Sequence, residues 1–332
     1  MKKITNYNNA LEIFKKFIET NTIKEKFKEV ERLGQDFFAG INLDVQDIFE
    51  NFSMEEIVLY DYSQMKKITD ILKNKNEWEN KDTSKDSPFG QYKKACRALY
   101  NTLTSKNGGI GYELLKELNI RACPYCNLNY VDAVIREVPS EEKLKPNDKI
   151  LRHHFDHYFP LSLYPFFCIS FFNLIPSCYE CNSSLKSDKD GEELPLNPYF
   201  DDFDSLAKFS IKFTPEALHV CNVCDLESFD IDIENIDLTK LDIIEKHKET
   251  FELIARYKYR KDIVSEIICK HKIYSDDLKK EIAERLKCIA SEIDLDLILW
   301  NNYITSDNIN KRPLSKLTKD IVHMLDITTK LN

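Results

Sequence analysis

The chain has 332 residues, and its hydrophobic content of 42% is enough to bury one large core or two modest ones. The formal net charge of -9 excludes a global basic surface for nucleic acid, so any such binding depends on a local patch or on a partner. The N-terminal sequence lacks an apolar core of signal-peptide length, and no apolar run is long enough to cross a bilayer. We therefore expect a cytoplasmic protein whose ten cysteines are reduced thiols.

The N-terminal part of the chain carries helical patterns. Residues 7–33 place apolar side chains at helical spacing with Lys and Glu between them, which predicts one or two amphipathic helices. Ser53 is followed three residues later by Glu56, so a capping box is predicted to start a helix that runs toward Trp78. A polar linker over 80–88 and two more helices, over 91–104 and 112–118, complete the predicted helical N-terminal region, 1–118.

The middle of the chain has a different pattern of apolar and polar residues. From residue 121 onward, short apolar alternations punctuated by proline replace the helical pattern, and the segments 208–213 and 229–233 alternate as strands do. We place a central domain at residues 119–235. Charge-laced amphipathic patterns return over 236–332 and predict a helical C-terminal region. The expected fold class is α+β and mostly α-helical.

Two CxxC pairs flank the centre of this domain. They read Cys123-Pro-Tyr-Cys126 and Cys178-Tyr-Glu-Cys181. Four thiolates at this double spacing predict a tetrahedral, closed zinc site that contributes folding free energy and takes no part in catalysis. The alternative is four independent buried cysteines, because free cysteine also packs as a small hydrophobe.

An acid, an imidazole and an amide are associated with these cysteines. Asp156 and His157 lie between the two pairs, and Asn182 directly follows Cys181. Carboxylate and amide oxygens suit a hard divalent ion, and imidazole is a base near pH 7 when another group fixes its tautomer. These residues predict a hydrolytic phosphodiester site. The alternative is a hydrogen-bonded turn at Asp156 and His157, with Asn182 as a helix cap.

Together these motifs resemble the HNH endonuclease superfamily with its zinc-finger-supported, treble-clef ββα-metal core. The matching pieces, in order, are Cys123-x-x-Cys126, Asp156-His157-x-x-Pro160, Asn173 in Asn-Leu-Ile-Pro, and Cys178-x-x-Cys181-Asn182 followed by Lys186. They cover roughly residues 120–200 of the chain. Asn182 stands where the family's final histidine would stand, which we take as a variant of the site.

The resemblance implies roles for these residues. Asp156 and Asn182 would bind a catalytic Mg²⁺ or Mn²⁺, His157 would be the general base, and Asn173 would steady the loop that presents His157. Lys186 is expected to neutralise a phosphate of the substrate. The substrate would be nucleic acid, with DNA favoured and RNA left open.

A narrower similarity is to the HNH subunits of Septu-type phage-defence systems. It implies an ATPase partner of the ABC/SMC-like kind, an anti-phage role and a homo- or hetero-oligomer, with the helical flanks as partner surfaces. The C-terminal flank carries an apolar stripe that a partner could use, although a core position is the more usual place for such a stripe. It consists of Leu253, Ile254, Tyr257, Ile263 and Ile267. The rival hypothesis is a zinc-finger adaptor that binds nucleic acid or a protein partner and cuts nothing.

Other chemistry-bearing residues carry weaker signals. His154 would share a strand face with Asp156, so it or His153 is a candidate for a supporting role. Cys221 and Cys224, with His219 beside them, are a third CxxC without a matching second pair, so both metal binding and core packing stay open. The remaining isolated cysteines are expected in the core: Cys96, Cys168, Cys269 and Cys288. The segment 256–261 interleaves aromatics and cations as nucleic-acid grooves do, although a solvated helix face explains it equally simply.

Overall fold

The computed structural model describes residues 1–136, 145, 148–152, 154–187, 195–214, 225–289 and 295–331. Its contacts divide the chain into a larger unit, Ile4–Ile120 with Val131–Phe200, and a smaller unit, Met1–Lys3 with Arg121–Tyr130 and Asp201–Asn332. This division differs from the three regions predicted from the sequence. The α+β class is confirmed, because many helices accompany small antiparallel sheets. Within the described ranges, no helix combines the length and apolar character that crossing a membrane requires.

Seven α-helices form most of the larger unit. They are α1 Asn8–Ile18, α2 Asn21–Gly40, α3 Met54–Ile57, α4 Tyr62–Lys73, α5 Asn76–Glu79, α6 Pro88–Thr104 and α7 Gly111–Leu118. Their apolar faces meet in an aromatic core, in which Phe37 of α2 lies 5.1 Å from Phe89 of α6 and 6.0 Å from Trp78 of α5, measured between ring centroids. Burial of such large rings is the main stabilising contribution in a core of this kind.

Two helix starts differ from the prediction. The expected continuous helix from Ser53 to Trp78 is wrong: Ser53 makes no side-chain cap, and the stretch forms α3, α4 and α5. The capping box lies instead at Asp61, whose carboxylate accepts from the Gln64 N–H at 2.9 Å while the Gln64 side chain accepts from the Asp61 N–H at 3.0 Å. Helix α6 begins at Pro88, because Ser87 caps it and proline is tolerated in a first turn.

Two short antiparallel hairpins complete the larger unit. Strand β1 Ala133–Ile135 pairs with β2 Lys149–Arg152, and β3 His154–His157 pairs with β4 Leu174–Ser177. The chain between β3 and β4 bends at Pro160 and contains two 3₁₀ turns, Pro165–Phe167 and Phe171–Asn173. After β4 comes a π-helix, Glu180–Lys186. This second hairpin and the π-helix position the candidate catalytic residues.

The smaller unit combines one hairpin with helices. The predicted strands are confirmed as β5 Ala207–Phe213 and β6 Phe229–Asn235, which pair antiparallel with Ile211 opposite Ile231. The helices are α8 Phe203–Leu206, α9 Leu241–Thr250, α10 Leu253–Lys258, α11 Lys261–Ile273, α12 Asp276–Ile289, α13 Leu295–Trp300 and α14 Ser315–Leu331.

The predicted helical run after residue 240 is interrupted. Glu252 takes a left-handed backbone conformation with φ of 47°, which ends α9 and starts α10. In the apolar stripe after this break, Leu253, Tyr257 and Ile267 are buried in the core, whereas Ile254 and Ile263 are partly exposed.

Candidate active site and metal centre

Four cysteines come together as the sequence predicts. The sulfur atoms of Cys123, Cys126, Cys178 and Cys181 all lie within 4.8 Å of one another, and all four side chains are buried. A tetrahedral zinc ion with Zn–S bonds of about 2.3 Å holds its sulfurs about 3.8 Å apart, which is compatible with the 4.8 Å limit on these separations. These cysteines could therefore hold a metal ion such as zinc.

The backbone around the first pair supports this role. The Asn127 N–H donates to the Cys123 carbonyl at 2.7 Å, and Asn127 takes the left-handed conformation with φ of 52° that closes the turn. Two donors reach the Cys126 sulfur: the Leu128 N–H at 3.4 Å and the Arg256 guanidinium at 3.7 Å. Donors of this kind stabilise thiolates and orient metal ligands.

Arg256 and Tyr257 thus have a structural function that the sequence did not reveal. Besides its contact with Cys126, Arg256 donates to the Phe251 carbonyl at 3.1 Å, and the buried Tyr257 hydroxyl donates to the Cys126 carbonyl at 2.6 Å. These two members of the segment 256–261 support the cysteine turn, so they are not available as a nucleic-acid groove.

Asp156 and His157 occupy strand β3 and line a cavity of about 320 Å³. Asn182 of the π-helix and His154 line the same cavity, as do Arg97 and Tyr100 of α6. Because Asp156 and His157 are paired with β4 in a regular ladder, the hydrogen-bonded turn considered as an alternative is wrong. The volume is at the lower end of the range for small-ligand sites, about 300–1,000 Å³.

A backbone carbonyl fixes the tautomer of His157. The Nε2 atom lies 2.8 Å from the Cys168 carbonyl oxygen, which can only accept a hydrogen bond. A neutral His157 therefore carries its proton on Nε2, which leaves the Nδ1 lone pair available to accept one. The Tyr100 ring, 4.6 Å away between centroids and tilted by 59°, packs against the imidazole and restricts its rotation.

The protonation state of His157 follows from its surroundings. Burial lowers its pKa to about 4, although the Cys168 carbonyl and the Asp156 carboxylate act in the opposite direction. The positive charges of Lys186 and Arg97 add to the lowering. His157 is consequently neutral at pH 7, which is the state that a general base requires.

Asn173 clamps the loop that connects the two strands. Its side-chain oxygen accepts from the Phe159 N–H at 2.7 Å, and its amide donates to the carbonyls of Phe159 and Phe167 at 3.1 and 3.0 Å. The side chain is fully buried, so water cannot replace these bonds. Because Phe167 directly precedes Cys168, the clamp also holds the carbonyl that orients His157.

Lys186 lies in a different environment from the one expected of a phosphate ligand. Its ammonium is buried, contacts both carboxylate oxygens of Asp156 at 3.2 and 3.1 Å, and donates to the His157 carbonyl at 2.9 Å. A substrate phosphate could reach this ammonium only by displacing the ion pair. The structure therefore brings Lys186 to the site as the partner of Asp156.

Asn182 lies inside the π-helix, so the alternative of a helix cap is wrong for this residue. Its N–H donates to the Cys178 carbonyl at 3.0 Å, and its own carbonyl accepts from the Ser187 N–H at 3.2 Å. The half-buried side chain lines the cavity with Asp156. An amide and a carboxylate, whose oxygens are of the type that binds hard cations, thus line the same cavity.

Two cavity residues were missed in the sequence, Arg97 and Tyr100. They lie three positions apart on one face of α6, whose opposite face buries Tyr92, Cys96 and Leu99. The spacing of Arg97 and Tyr100 is the one feature of the sequence that could have pointed to them as cavity residues. Every amphipathic helix has pairs at this spacing, so the feature is not specific. The Tyr100 hydroxyl donates to the Phe155 carbonyl of β3 at 3.3 Å, so this helix is anchored beside the candidate catalytic strand.

The other histidines and cysteines named from the sequence differ in their exposure. His154 is exposed at the cavity, and Cys96 and Cys168 are buried as predicted, whereas Cys269 is partly exposed. The other predictions, for His153, His219, Cys221, Cys224 and the side chain of Cys288, lie outside the described residues.

Comparison of the chain with protein-family models, with curated proteins and with solved structures finds no match.

Proposed function

We propose that this protein is a divalent-metal-dependent endonuclease of the HNH type that hydrolyses phosphodiester bonds of nucleic acid, preferentially DNA. One observation carries the proposal: Asp156, His157 and Asn182 line one cavity, and His157 is oriented there with its Nδ1 lone pair available. A hairpin followed by a helical turn presents these residues, which agrees with the resemblance in the sequence.

The donor set suits a hard divalent ion. Asp156 and Asn182 would hold Mg²⁺ or Mn²⁺ through a carboxylate and an amide oxygen, with water as the remaining ligands. A carboxylate has about four lone-pair positions, which is more than the contact with Lys186 alone uses. When bound, such an ion supplies Lewis-acid stabilisation of the charge that develops on the phosphate.

The residues of the chain perform the proton transfer and the positioning. His157 accepts a proton from the attacking water at Nδ1, while the Cys168 carbonyl stabilises the imidazolium that forms through its bond to Nε2. Asn173 keeps this carbonyl in place by binding the preceding residue. Lys186 holds the Asp156 carboxylate in one orientation through its contacts with both oxygens.

The biological role that we propose is that of an effector nuclease in a bacterial anti-phage defence system, acting in the cytoplasm with an ABC/SMC-like ATPase. The net charge of -9 supports a requirement for a partner, because long-range attraction to nucleic acid is weak for such a protein. Zinc at the four cysteines would be structural in this reading.

One observation favours the second candidate, a non-catalytic zinc-finger adaptor. The buried ammonium of Lys186 already neutralises Asp156, the strongest anionic ligand lining the cavity. An adaptor would keep such a pair for stability and would have no need of a divalent ion. The two candidates therefore differ in whether Mg²⁺ or Mn²⁺ produces hydrolysis.

A cleavage assay tests the proposal directly. Purified protein, alone and co-expressed with its neighbouring genes, is incubated with duplex DNA, single-stranded DNA and tRNA in the presence of Mg²⁺ or Mn²⁺. We expect hydrolysis that EDTA abolishes and that His157→Ala reduces about a hundred- to ten-thousand-fold, the usual contribution of a general base. His323→Ala, which removes an exposed histidine of α14, is the matched control and should cut at the wild-type rate.

The outcomes separate the two candidates. Cleavage at an undiminished rate by His157→Ala would show that this histidine is not the base. Stable binding of nucleic acid or of a co-purified partner, without hydrolysis under any of these conditions, would establish the adaptor instead. Nuclease activity that responds to ATP in a co-purified complex would support the defence role.

A further inference from the structure

The candidate active cavity needs a cation for the substrate phosphate, and the residue expected to supply it is already engaged. Lys186 is fully buried and contacts both oxygens of Asp156. Among the described residues that line the cavity, Arg97 alone carries a permanent positive charge. It comes from α6, which lies outside the motifs that suggested a nuclease.

The Arg97 guanidinium is exposed and has neither a hydrogen bond nor an ion pair with any other residue that the structure describes. Other cations of this unit are engaged in ion pairs: Lys149 binds Glu113 at 3.0 Å, and Arg32 binds Asp36 at 3.0 Å. A guanidinium presents a planar fork of donors that matches two oxygens of a phosphate group. The guanidinium of Arg97 can therefore bind an anion that enters the cavity.

The position of Arg97 relative to His157 is fixed by its neighbour on the helix. Tyr100, one turn later on the same face, packs its ring 4.6 Å from the imidazole and donates its hydroxyl to the Phe155 carbonyl. These contacts hold α6 against β3, and Arg97 and His157 line the same cavity. A phosphate bound by Arg97 therefore lies near the base.

We propose that Arg97 is the phosphate-binding residue of this active cavity and that α6 forms the wall that positions the nucleic-acid backbone beside His157. This inference rests on the proposed nuclease function. It assigns to a helix of the N-terminal region the contact that the sequence assigned to Lys186. Arg97 binds a substrate phosphate, whereas Lys186 acts through Asp156 as a positioning residue.

Steady-state kinetics of the full-length protein on its best oligonucleotide substrate provide the first test. Arg97→Ala should raise KM about ten- to a hundredfold with a smaller change in kcat, because a charged hydrogen bond to the substrate is lost in the ground state and the transition state alike. Arg97→Lys should recover part of this loss, since it keeps the charge but not the fork. Lys94→Ala removes a cation one turn earlier on α6 that does not line the cavity, so it is the matched control.

A binding measurement gives a readout that does not depend on turnover. Fluorescence anisotropy of a labelled oligonucleotide is followed against salt concentration in the His157→Ala background. Adding Arg97→Ala should weaken binding and reduce the slope of log affinity against log salt by about 0.7–0.9, the value for one lost phosphate contact. Because Arg97 has no partner among the described residues, thermal stability should stay at the wild-type level.

The results distinguish this inference from the function on which it rests. If wild-type protein cuts nucleic acid but Arg97→Ala matches Lys94→Ala in KM and in salt slope, the inference is wrong and the nuclease function stands. If no substrate is cut, the nuclease function is wrong, and the inference falls with it unless the salt slope still depends on Arg97. In that case Arg97 is a phosphate contact of a nucleic-acid-binding protein.

Discussion

The buried ion pair between Lys186 and Asp156 can be broken from one side by the substitution Lys186→Met. The ammonium is fully buried and Asp156 is 3% exposed, so the variant leaves a carboxylate without its counter-ion and the His157 carbonyl without its donor. Removing one partner of a buried pair costs about 3–5 kcal/mol of the free energy of unfolding. At about 2–4 °C per kcal/mol, Tm should fall by roughly 6–20 °C.

A divalent cation should reverse part of this loss. Without the competing ammonium, the carboxylate of Asp156 should bind Mg²⁺ or Mn²⁺ more tightly than in the wild type. A ligand at a hundred times its Kd stabilises the folded protein by about 2.7 kcal/mol, so the variant should regain a large part of its stability. Thermal unfolding and isothermal titration calorimetry with each metal measure the two effects independently of cleavage.

Lys149→Met is the matched control for this rescue. Lys149 is also buried, and it binds Glu113 at 3.0 Å and the Gly109 carbonyl at 2.9 Å, away from the cavity. Its loss should destabilise the protein without any specific response to divalent metal. The reasoning is refuted if Lys186→Met is as stable as the wild type, or if Mg²⁺ and Mn²⁺ raise the Tm of both variants equally.

Three further predictions concern other parts of the chain. Cys178→Ser should abolish stoichiometric zinc in elemental analysis and the cooperative unfolding transition in circular dichroism, and folded wild-type protein without metal would contradict this. Asn173→Ala removes the partner of the Phe159 N–H, the donor to the Phe159 carbonyl and one of two donors to the Phe167 carbonyl, so urea unfolding should show a loss of about 2–4 kcal/mol, and a loss below about 1 kcal/mol would argue against the clamp. Burial lowers the pKa of His247 to about 3, against about 6.5 in the unfolded chain, so its contribution to stability is complete above pH 6.5 and is lost as pH falls toward 3. Urea unfolding from pH 7.5 to 4 should therefore show an acid loss that is smaller in His247→Gln by up to about 1.4 kcal/mol per pH unit, while the loss due to His157 is the same in both proteins.

Local spacing explains why the metal cluster was predictable. Cysteines separated by two residues, as in Cys123-x-x-Cys126 and Cys178-x-x-Cys181, are a chemical pattern that few other structures require, and the four sulfurs do come together. The strands β5 and β6 were equally predictable, because strict alternation over the five or six residues of 229–233 and 208–213 is typical of a half-buried strand.

The environment of the candidate catalytic residues was not predictable in the same way. Lys186 follows Asn182 in the sequence as a phosphate ligand would, but its pairing with Asp156 depends on the register of the helix that carries it. The tautomer of His157 is set by the backbone carbonyl of Cys168. Every residue has such a carbonyl, so the identity of residue 168 does not reveal this contact. Arg97 reaches the cavity only through the packing of α6 on β3, which is a tertiary contact between distant segments.

The π-helix at Glu180–Lys186 makes the pairing of Lys186 with Asp156 sensitive to the insertion or deletion of a single residue. Its wide hydrogen bond, from the Ser187 N–H to the Asn182 carbonyl, spans one residue more than an α-helical bond, so the segment behaves as a single-residue insertion. Deleting Ser184 would restore the α-helical register and rotate Lys186 by about 100° relative to Asn182. Lineages that gain or lose one residue here would thereby make or break the neutralisation of Asp156 while every strand of the hairpin keeps its sequence.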